Sequence, residues 1–221
     1  MSATLPMFPL SVVLFPGVQV PLHVFEDRYR ALVHHLLRES DPARRVFGSV
    51  AIREGYEVGE HGQQELHRVG CRLQLTEVQA HPDGTFDIVA VGRDRIRLER
   101  LDTSGPFPAG HVTELPDNPW AVAPETVERA RDAFAEYAAA VRELRGDPEP
   151  GELPRDPAYL AWVLAAAAPL TLPDRQSLLE ARDPAVRLAM VTELFREELR
   201  SMRAIPSLPA TDVARTGWSP N

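Results

Sequence analysis

The periodicity of the apolar residues changes once along the chain, at a proline-rich stretch covering residues 115–124. Before this stretch, short runs alternate apolar and polar residues, which is typical of β-strands with one buried face. After it, apolar residues recur every three or four positions, which is typical of amphipathic helices. The stretch reads LPDNPWAVAP, and its three prolines favour a boundary. The sequence therefore predicts an α+β protein with a β-rich first part and a helical second part.

The first part predicts a small β-barrel that is closed on itself and capped by a helix, because several short strands are separated by turn signals. Pro16-Gly17 and the run HPDG at residues 81–84 are the strongest turns. Apolar residues at helical spacing predict a helix over residues 26–39. Gly92 predicts a bulge or bend. The predicted strands are residues 10–15, 18–22, 46–53, 71–76, 86–90 and 95–99, with a loop at residues 55–64.

The second part predicts a helical bundle. Pro124 suits a first helical position, and Thr171 with Asp174 has the spacing of a capping box. Asp183-Pro184 predicts the start of the last helix. The predicted organisation is a barrel subdomain at residues 1–115, a proline-rich linker at 116–123, the bundle at 124–203 and a flexible tail at 204–221.

Composition excludes several classes of chemistry. All 24 basic residues are arginine, so the chain offers no phosphate-loop lysine, Schiff base or Ser–Lys dyad. The net charge of −8 argues against binding to a nucleic-acid backbone. The single cysteine fits a reducing cytoplasm and cannot form an internal disulfide. We expect no membrane helix, because no apolar run reaches the roughly 20 residues that one requires.

Individual polar residues do not assemble into a catalytic pattern. His34 and His35 are adjacent on a helix and point about 100° apart, so they are expected on the surface and not at a metal. Cys71 is expected to be buried and inert. Glu26-Asp27 would complement the helix dipole. Arginines between residues 93 and 100 either form a basic stripe for nucleic acid or, as interleaved acids favour, a salt-bridged outer face. The sequence predicts a protein that is not an enzyme, with no metal and no cofactor.

Three blocks of sequence resemble one known family. LPMFPLSVVLFPGVQVPLHVFEDRYRALV, HRVGCRLQLTEVQAHPDGTFDIVAVGRDRIRLERL and LAWVLAAAAPLTLPDRQSLLEARDPAVRLAMVTELF are similar, in this order, to the Lon protease N-terminal (substrate-binding) domain family. The resemblance covers most of residues 5–203 and implies a PUA-like barrel followed by a helical bundle. The ATPase and protease domains of Lon have no counterpart in these blocks, so a stand-alone member is expected.

The resemblance implies a non-catalytic module that binds unfolded or client polypeptides, as an adaptor in bacterial cytoplasmic protein quality control with a protease or ATPase partner. RNA binding is the alternative, because PUA-like barrels elsewhere bind RNA. The candidate contacts are Phe25, Tyr29, Phe107 and Trp120, each of which is otherwise a core residue. We expect Phe107 and Trp120 at the rim of a groove between barrel and bundle, unless Trp120 staples the two parts together.

Overall fold

The computed structural model describes residues 2–53, 66–118, 121–145 and 151–204. The chain divides into two compact units, Met1–Pro116 and Asp117–Asn221. All of the described strands belong to the first unit, which also contains one α-helix, and the remaining α-helices belong to the second. The predicted change from strands to helices is therefore confirmed. The predicted loop at residues 55–64 and almost all of the predicted tail lie outside the described residues.

One antiparallel sheet forms the first unit. Its pairing order is β1-β6-β5-β4-β3, and β2 pairs separately with β5. Beyond the end of β1, isolated parallel bridges join Met7 to Gly48 and Leu10 to Ala51 of β3. No continuous strand pair closes the sheet among the described residues, so the structure confirms an antiparallel sheet with a helix but not the predicted barrel closed on itself. The strands are β1 (Ser2–Pro6), β2 (Gln19–Val24), β3 (Val46–Ile52), β4 (Leu66–Ala80), β5 (Phe86–Asp102) and β6 (Ala109–Glu114).

The helix α1 (Asp27–Leu37) packs its apolar face against this sheet. Tyr29, Leu32, Val33 and Leu36 are buried because they recur at three- and four-residue spacing on one side of the helix. They share a core cluster with strand residues that face inward, which include Phe47, Leu73, Leu75, Phe86 and Ile88. The helix therefore caps the sheet as the sequence predicts. A short 3₁₀ turn, Pro42–Arg44, leads from α1 to β3.

The strands of the structure differ from the predicted ones in three respects. Residues 11–15 are not a strand, and Leu10 forms only an isolated bridge, because Pro9 and Pro16 cannot donate to a ladder. The strands β1 and β6 were not predicted, since SATLP and AGHVTE have weak β-propensity and their pairing with each other supplies the order. The strands predicted at residues 86–90 and 95–99 are one continuous strand, β5, that runs through Gly92.

The second unit contains α2 (Pro124–Arg145), α3 (Pro157–Ala167), α4 (Leu172–Glu180) and α5 (Pro184–Ala204). The first three of these helices all contact α5. Leu160, Leu164, Leu178, Leu188 and Phe195 are fully buried. No helix of the described residues is both long and apolar enough to cross a membrane.

Side-chain caps fix the starts of α3, α4 and α5. The side-chain oxygens that accept belong to Asp156, Thr171 and Asp183. The backbone N–H groups that donate to them belong to Tyr159 (2.7 Å), Asp174 (3.3 Å) and Ala185 (2.8 Å), respectively. Each cap satisfies an N–H group that has no partner within its own helix. The predicted helix starts at Thr171 and Asp183 are confirmed.

Candidate functional site

A pocket of about 300 Å³ opens beside the N-terminal end of α1. Four segments of the first unit line it: residues 8–11, residues 22–26 at the end of β2, residues 28 and 29 of α1, and Ile52 of β3. The pocket depends on long-range pairing, because Phe8 and Leu10 donate backbone hydrogen bonds to the carbonyls of Gly48 and Val50. These bonds hold the proline-interrupted segment against β3 without making it a strand.

Aromatic rings form the floor of this pocket. The rings of Phe8 and Tyr29 stack with their centroids 4.0 Å apart and their planes 19° apart. Both residues are buried, as is the neighbouring Val24. Burial raises the pKa of the Tyr29 phenol, although the Arg28 guanidinium opposes this effect, so the ring stays neutral at physiological pH. The floor is therefore apolar and uncharged.

Phe25 lies at the rim of the pocket, between the last residue of β2 and the first turn of α1. It is 54% exposed, the largest exposed fraction among the large apolar side chains of the described residues. Its ring lies 6.1 Å from that of His23, also a lining residue. An exposed aromatic beside an apolar concavity is a common feature of surfaces that a partner covers.

Charged groups at the pocket are paired with each other. The Arg28 guanidinium donates to the Glu26 carboxylate at 2.7 Å and lies 4.7 Å from the centroid of the Tyr29 ring. Glu26 is the N-cap residue of α1, and Asp27 in the first turn pairs with Arg30 at 2.9 Å. The predicted position of both acids at the helix dipole is confirmed. The Glu26–Arg28 pair is neutral overall, so these two residues leave no net charge at the pocket.

Two of the four predicted contact residues, Phe25 and Tyr29, lie together in this pocket. Phe107 does not line it. That residue packs against the core of the sheet, with its ring 5.0 Å from the ring of His35. Trp120 lies outside the described residues. Phe8 was not predicted as a site residue. The sequence contained one signal for it, because an aromatic residue between Pro6 and Pro9 cannot belong to a regular central strand.

The arginines of β5 do not form a basic stripe. Arg95 is only 2% exposed and donates to the Pro116 carbonyl at 3.3 Å. Arg93 donates to the Gln74 side chain at 2.8 Å. Asp94 pairs instead with Arg72 of β4. The expected outward position was therefore wrong for Arg95, whereas an ion-paired outer face is present at Arg72 and Asp94.

The family can be identified from the sequence profile described as the ATP-dependent protease La (LON) substrate-binding domain, which matches residues 4–197. The chain belongs to this family. In the solved Lon N-terminal domain protein from Xanthomonas campestris, 98% of the chain aligns with 86% of this one, at 27% identity and a TM-score of 0.64. The N-terminal domain of Mycobacterium avium complex Lon protease aligns at 17% identity with a TM-score of 0.63, and shows the same fold.

Curated relatives are much longer than this chain. The Lon protease of Phenylobacterium zucineum is 27% identical over 205 residues, which are 88% of this chain and 24% of that protein. The Lon protease of Escherichia coli strain K12 is 27% identical over 201 residues, 88% of this chain and 25% of that protein. The chain thus spans about a quarter of the length of these relatives.

Proposed function

We propose that this protein is a non-catalytic module that binds unfolded or client polypeptides, and that an apolar client side chain enters the pocket beside α1. The observation that carries this proposal is Phe25, which is 54% exposed above an apolar floor in a member of a substrate-binding family. The stacked Phe8 and Tyr29 rings are rigid, so little conformational entropy is lost when a client side chain packs on them.

Substitution of Phe25 by serine tests the proposal directly. Fully covering a phenylalanine side chain contributes about 1.5–3 kcal/mol, so covering the exposed half of Phe25 contributes about 0.8–1.6 kcal/mol. Since about 1.4 kcal/mol is a tenfold change in affinity, the Phe25→Ser variant should bind fluorescently labelled β-casein, an unstructured polypeptide, about fourfold or more weakly than the parent protein. Fluorescence anisotropy measures the affinity, and thermal unfolding checks that the fold is kept, because Phe25 is exposed.

Leu37→Ser is the matched control. Leu37 is also an exposed apolar residue of the first unit, at the C-terminal end of α1 and away from the lining residues. The Leu37→Ser variant should bind labelled β-casein with an affinity within about twofold of the parent protein, as expected for a surface change away from the contact. Equal losses in both variants would indicate non-specific adhesion, and unchanged binding by Phe25→Ser would exclude this pocket as the client site.

We extend the same proposal to Phe107 and Trp120 as further client contacts. Trp120→Ala separates a contact from a packing role. A contact residue should lose β-casein binding while the free energy of unfolding changes by less than about 1 kcal/mol. A residue that packs inside the protein should destabilise it by about 3 kcal/mol or more, as large core truncations do. A loss of about 3 kcal/mol or more in the free energy of unfolding would show that Trp120 packs inside the protein and is not a client contact.

The wider role that we propose is that of an adaptor, which presents clients to a protease or ATPase partner in the cytoplasm. The adaptor role is supported by the relatives, which are named Lon proteases, and by the sequence, which contains no lysine. The cytoplasmic location is supported by the single cysteine, which suits a reducing compartment. A pulldown with the purified chain, followed by mass spectrometry, tests it. If the Phe25→Ser variant also recovers an ATP-dependent protease, the partner and the client bind to different surfaces.

We also assign the first unit to PUA-like barrels and the second to helical bundles. The six-stranded sheet with its two bridges and the packing of α2, α3 and α4 on α5 support this assignment. RNA binding, the alternative that such a barrel suggests, gains no support. The net charge is −8, Arg95 is buried, and Arg72 is paired with Asp94.

A further inference from the structure

Three side chains of the first unit converge on one point at its surface: His23 of β2, His81 in the turn before β5, and Asp87 of β5. The Nδ1 atom of His23 lies 2.7 Å from Oδ1 of Asp87, and the Nε2 atom of His81 lies 2.7 Å from Oδ2 of the same carboxylate. One donor atom from each residue lies within 4.8 Å of the other two. Sequence analysis expected no metal site and did not connect these residues, because His23 and Asp87 are 64 positions apart.

The backbone fixes this arrangement. His23 and Asp87 are direct partners in the antiparallel β2–β5 ladder, so their side chains leave the sheet on the same face. His81 is held by a tight turn, in which its N–H donates to the Thr85 carbonyl at 2.9 Å and its carbonyl accepts from the Gly84 N–H at 3.0 Å. Gly84 has φ of 84°, which a glycine adopts without strain. The three ligand atoms are thus presented from ordered main chain.

Solvent reaches all three side chains. They are 56%, 29% and 53% exposed for His23, His81 and Asp87, so an ion can enter without any movement of the fold. Both imidazoles and the carboxylate are therefore within reach of an ion from solvent.

The donor set has the chemistry of a zinc-class site. Two imidazole nitrogens and one carboxylate oxygen bind Zn²⁺ with bonds of about 2.0–2.2 Å, which places neighbouring ligand atoms of a tetrahedral site about 3.4 Å apart. The two observed separations of 2.7 Å require a small outward rotation of each imidazole. The two imidazole nitrogens lie within 4.8 Å of each other, which is in range for one shared ion. A three-ligand set also leaves a fourth position for water.

We propose that His23, His81 and Asp87 together bind one divalent transition-metal ion of the zinc class, with the fourth position open. Since His23 also lines the pocket beside α1, the bound ion would hold its ring at the pocket edge. The proposal rests on the three side chains and not on client binding. The competing arrangement is a hydrogen-bonded trio in which Asp87 accepts from both histidines and no metal enters.

Isothermal titration of the tag-free, chelator-treated full chain with Zn²⁺ tests the proposal. We expect one ion per chain. His81→Ala and, as a second variant, His23→Ala should each weaken Zn²⁺ binding about tenfold or more, as loss of groups at a metal site does. His34→Ala is the matched control, since His34 is an exposed histidine of the same unit, and it should bind as the parent does. Circular dichroism confirms that each variant is folded.

A cobalt spectrum separates a metal site from the hydrogen-bonded trio. Co²⁺ in place of Zn²⁺ should give visible absorption bands of a four-coordinate ion, and these bands should be absent in His81→Ala. The absence of saturable Zn²⁺ binding, or binding that His34→Ala weakens as much as His81→Ala does, would overturn the proposal.

Discussion

Arg187 is fully buried in the second unit, and its guanidinium forms a two-point ion pair with the carboxylate of Asp117. One of its nitrogens donates to Oδ1 of Asp117 at 3.0 Å and to the Ala181 carbonyl at 2.8 Å. The guanidinium carbon lies 3.7 Å from the centroid of the Trp162 ring. The pair therefore joins the segment before α2 to the first turn of α5, and the indole of α3 covers it.

Removal of this guanidinium should destabilise the protein strongly. Arg187→Ala leaves the Asp117 carboxylate partly buried without its partner, and loss of one member of a buried pair costs about 3–5 kcal/mol. Urea unfolding followed by circular dichroism measures the change. Arg200→Ala is the control, because Arg200 and its partner Glu197 are exposed and 3.9 Å apart, and it should cost less than about 0.5 kcal/mol. Similar small losses in both variants would show that the buried pair contributes little.

Gly92 cannot accept a side chain. A Cβ atom built there would lie 2.1 Å from the Phe15 carbonyl oxygen, and the main chain of Gly92 also bonds Gly17 at 2.9 Å and Val18 at 3.0 Å. Gly92→Ala should therefore separate β5 from residues 15–18, and we expect a loss of about 2 kcal/mol or more in unfolding free energy.

Gly151→Ala is the matched control for this prediction. Apart from its chain neighbours, no atom of the described residues lies within 4 Å of a Cβ at that position, and an alanine there restricts the unfolded chain. Its melting temperature should stay the same or rise slightly. A Gly92→Ala variant as stable as Gly151→Ala would contradict the close approach of residues 15–18 to β5.

Cys71 should be unreactive in the folded protein. The side chain is 1% exposed, and burial raises the pKa of its thiol to about 12, so almost no thiolate exists at neutral pH. Ellman's reagent at about pH 8 should modify it only after urea is added, and the rate should follow global unfolding. Because the sequence has one cysteine, the absorbance reports this residue alone. Rapid modification without denaturant would refute the burial.

Local patterns were sufficient for part of this structure. The helix α1, the turn at residues 81–84 and the caps at Thr171 and Asp183 follow from residues close in sequence, and they were predicted correctly. Each depends on short-range spacing or on a capping side chain, which a single sequence displays directly.

Contacts between residues far apart in the sequence could not be predicted in the same way. Arg95 is buried where it donates to the carbonyl of Pro116, which is 21 positions away. The Phe8–Tyr29 stack needs the segment after β1 to lie against β3. The sequence identifies Phe25 and Tyr29 only as aromatics near a loop, whereas the pocket itself arises from this long-range pairing.

The acid titration of Asp87 gives a separate test of the surface trio. Hydrogen bonds from His23 and then from His81 hold its pKa below the ordinary 3.8, so its contribution to stability is present above that value and is lost as pH falls through the lower folded pKa. Carbon-13 NMR of the carboxyl, in chelator, should give a midpoint below 3.8 in the parent and closer to 3.8 in a His23→Ala/His81→Ala double variant.

Asp83 provides the internal control for that titration. Its pKa is also lowered, chiefly by hydrogen bonds from the backbone and side chain of Thr85, which the double variant keeps. The Asp83 midpoint should therefore remain below 3.8 while the Asp87 midpoint rises. If both midpoints rise together, the variant has loosened the turn at residues 81–85. If neither moves, the histidines do not stabilise the Asp87 carboxylate.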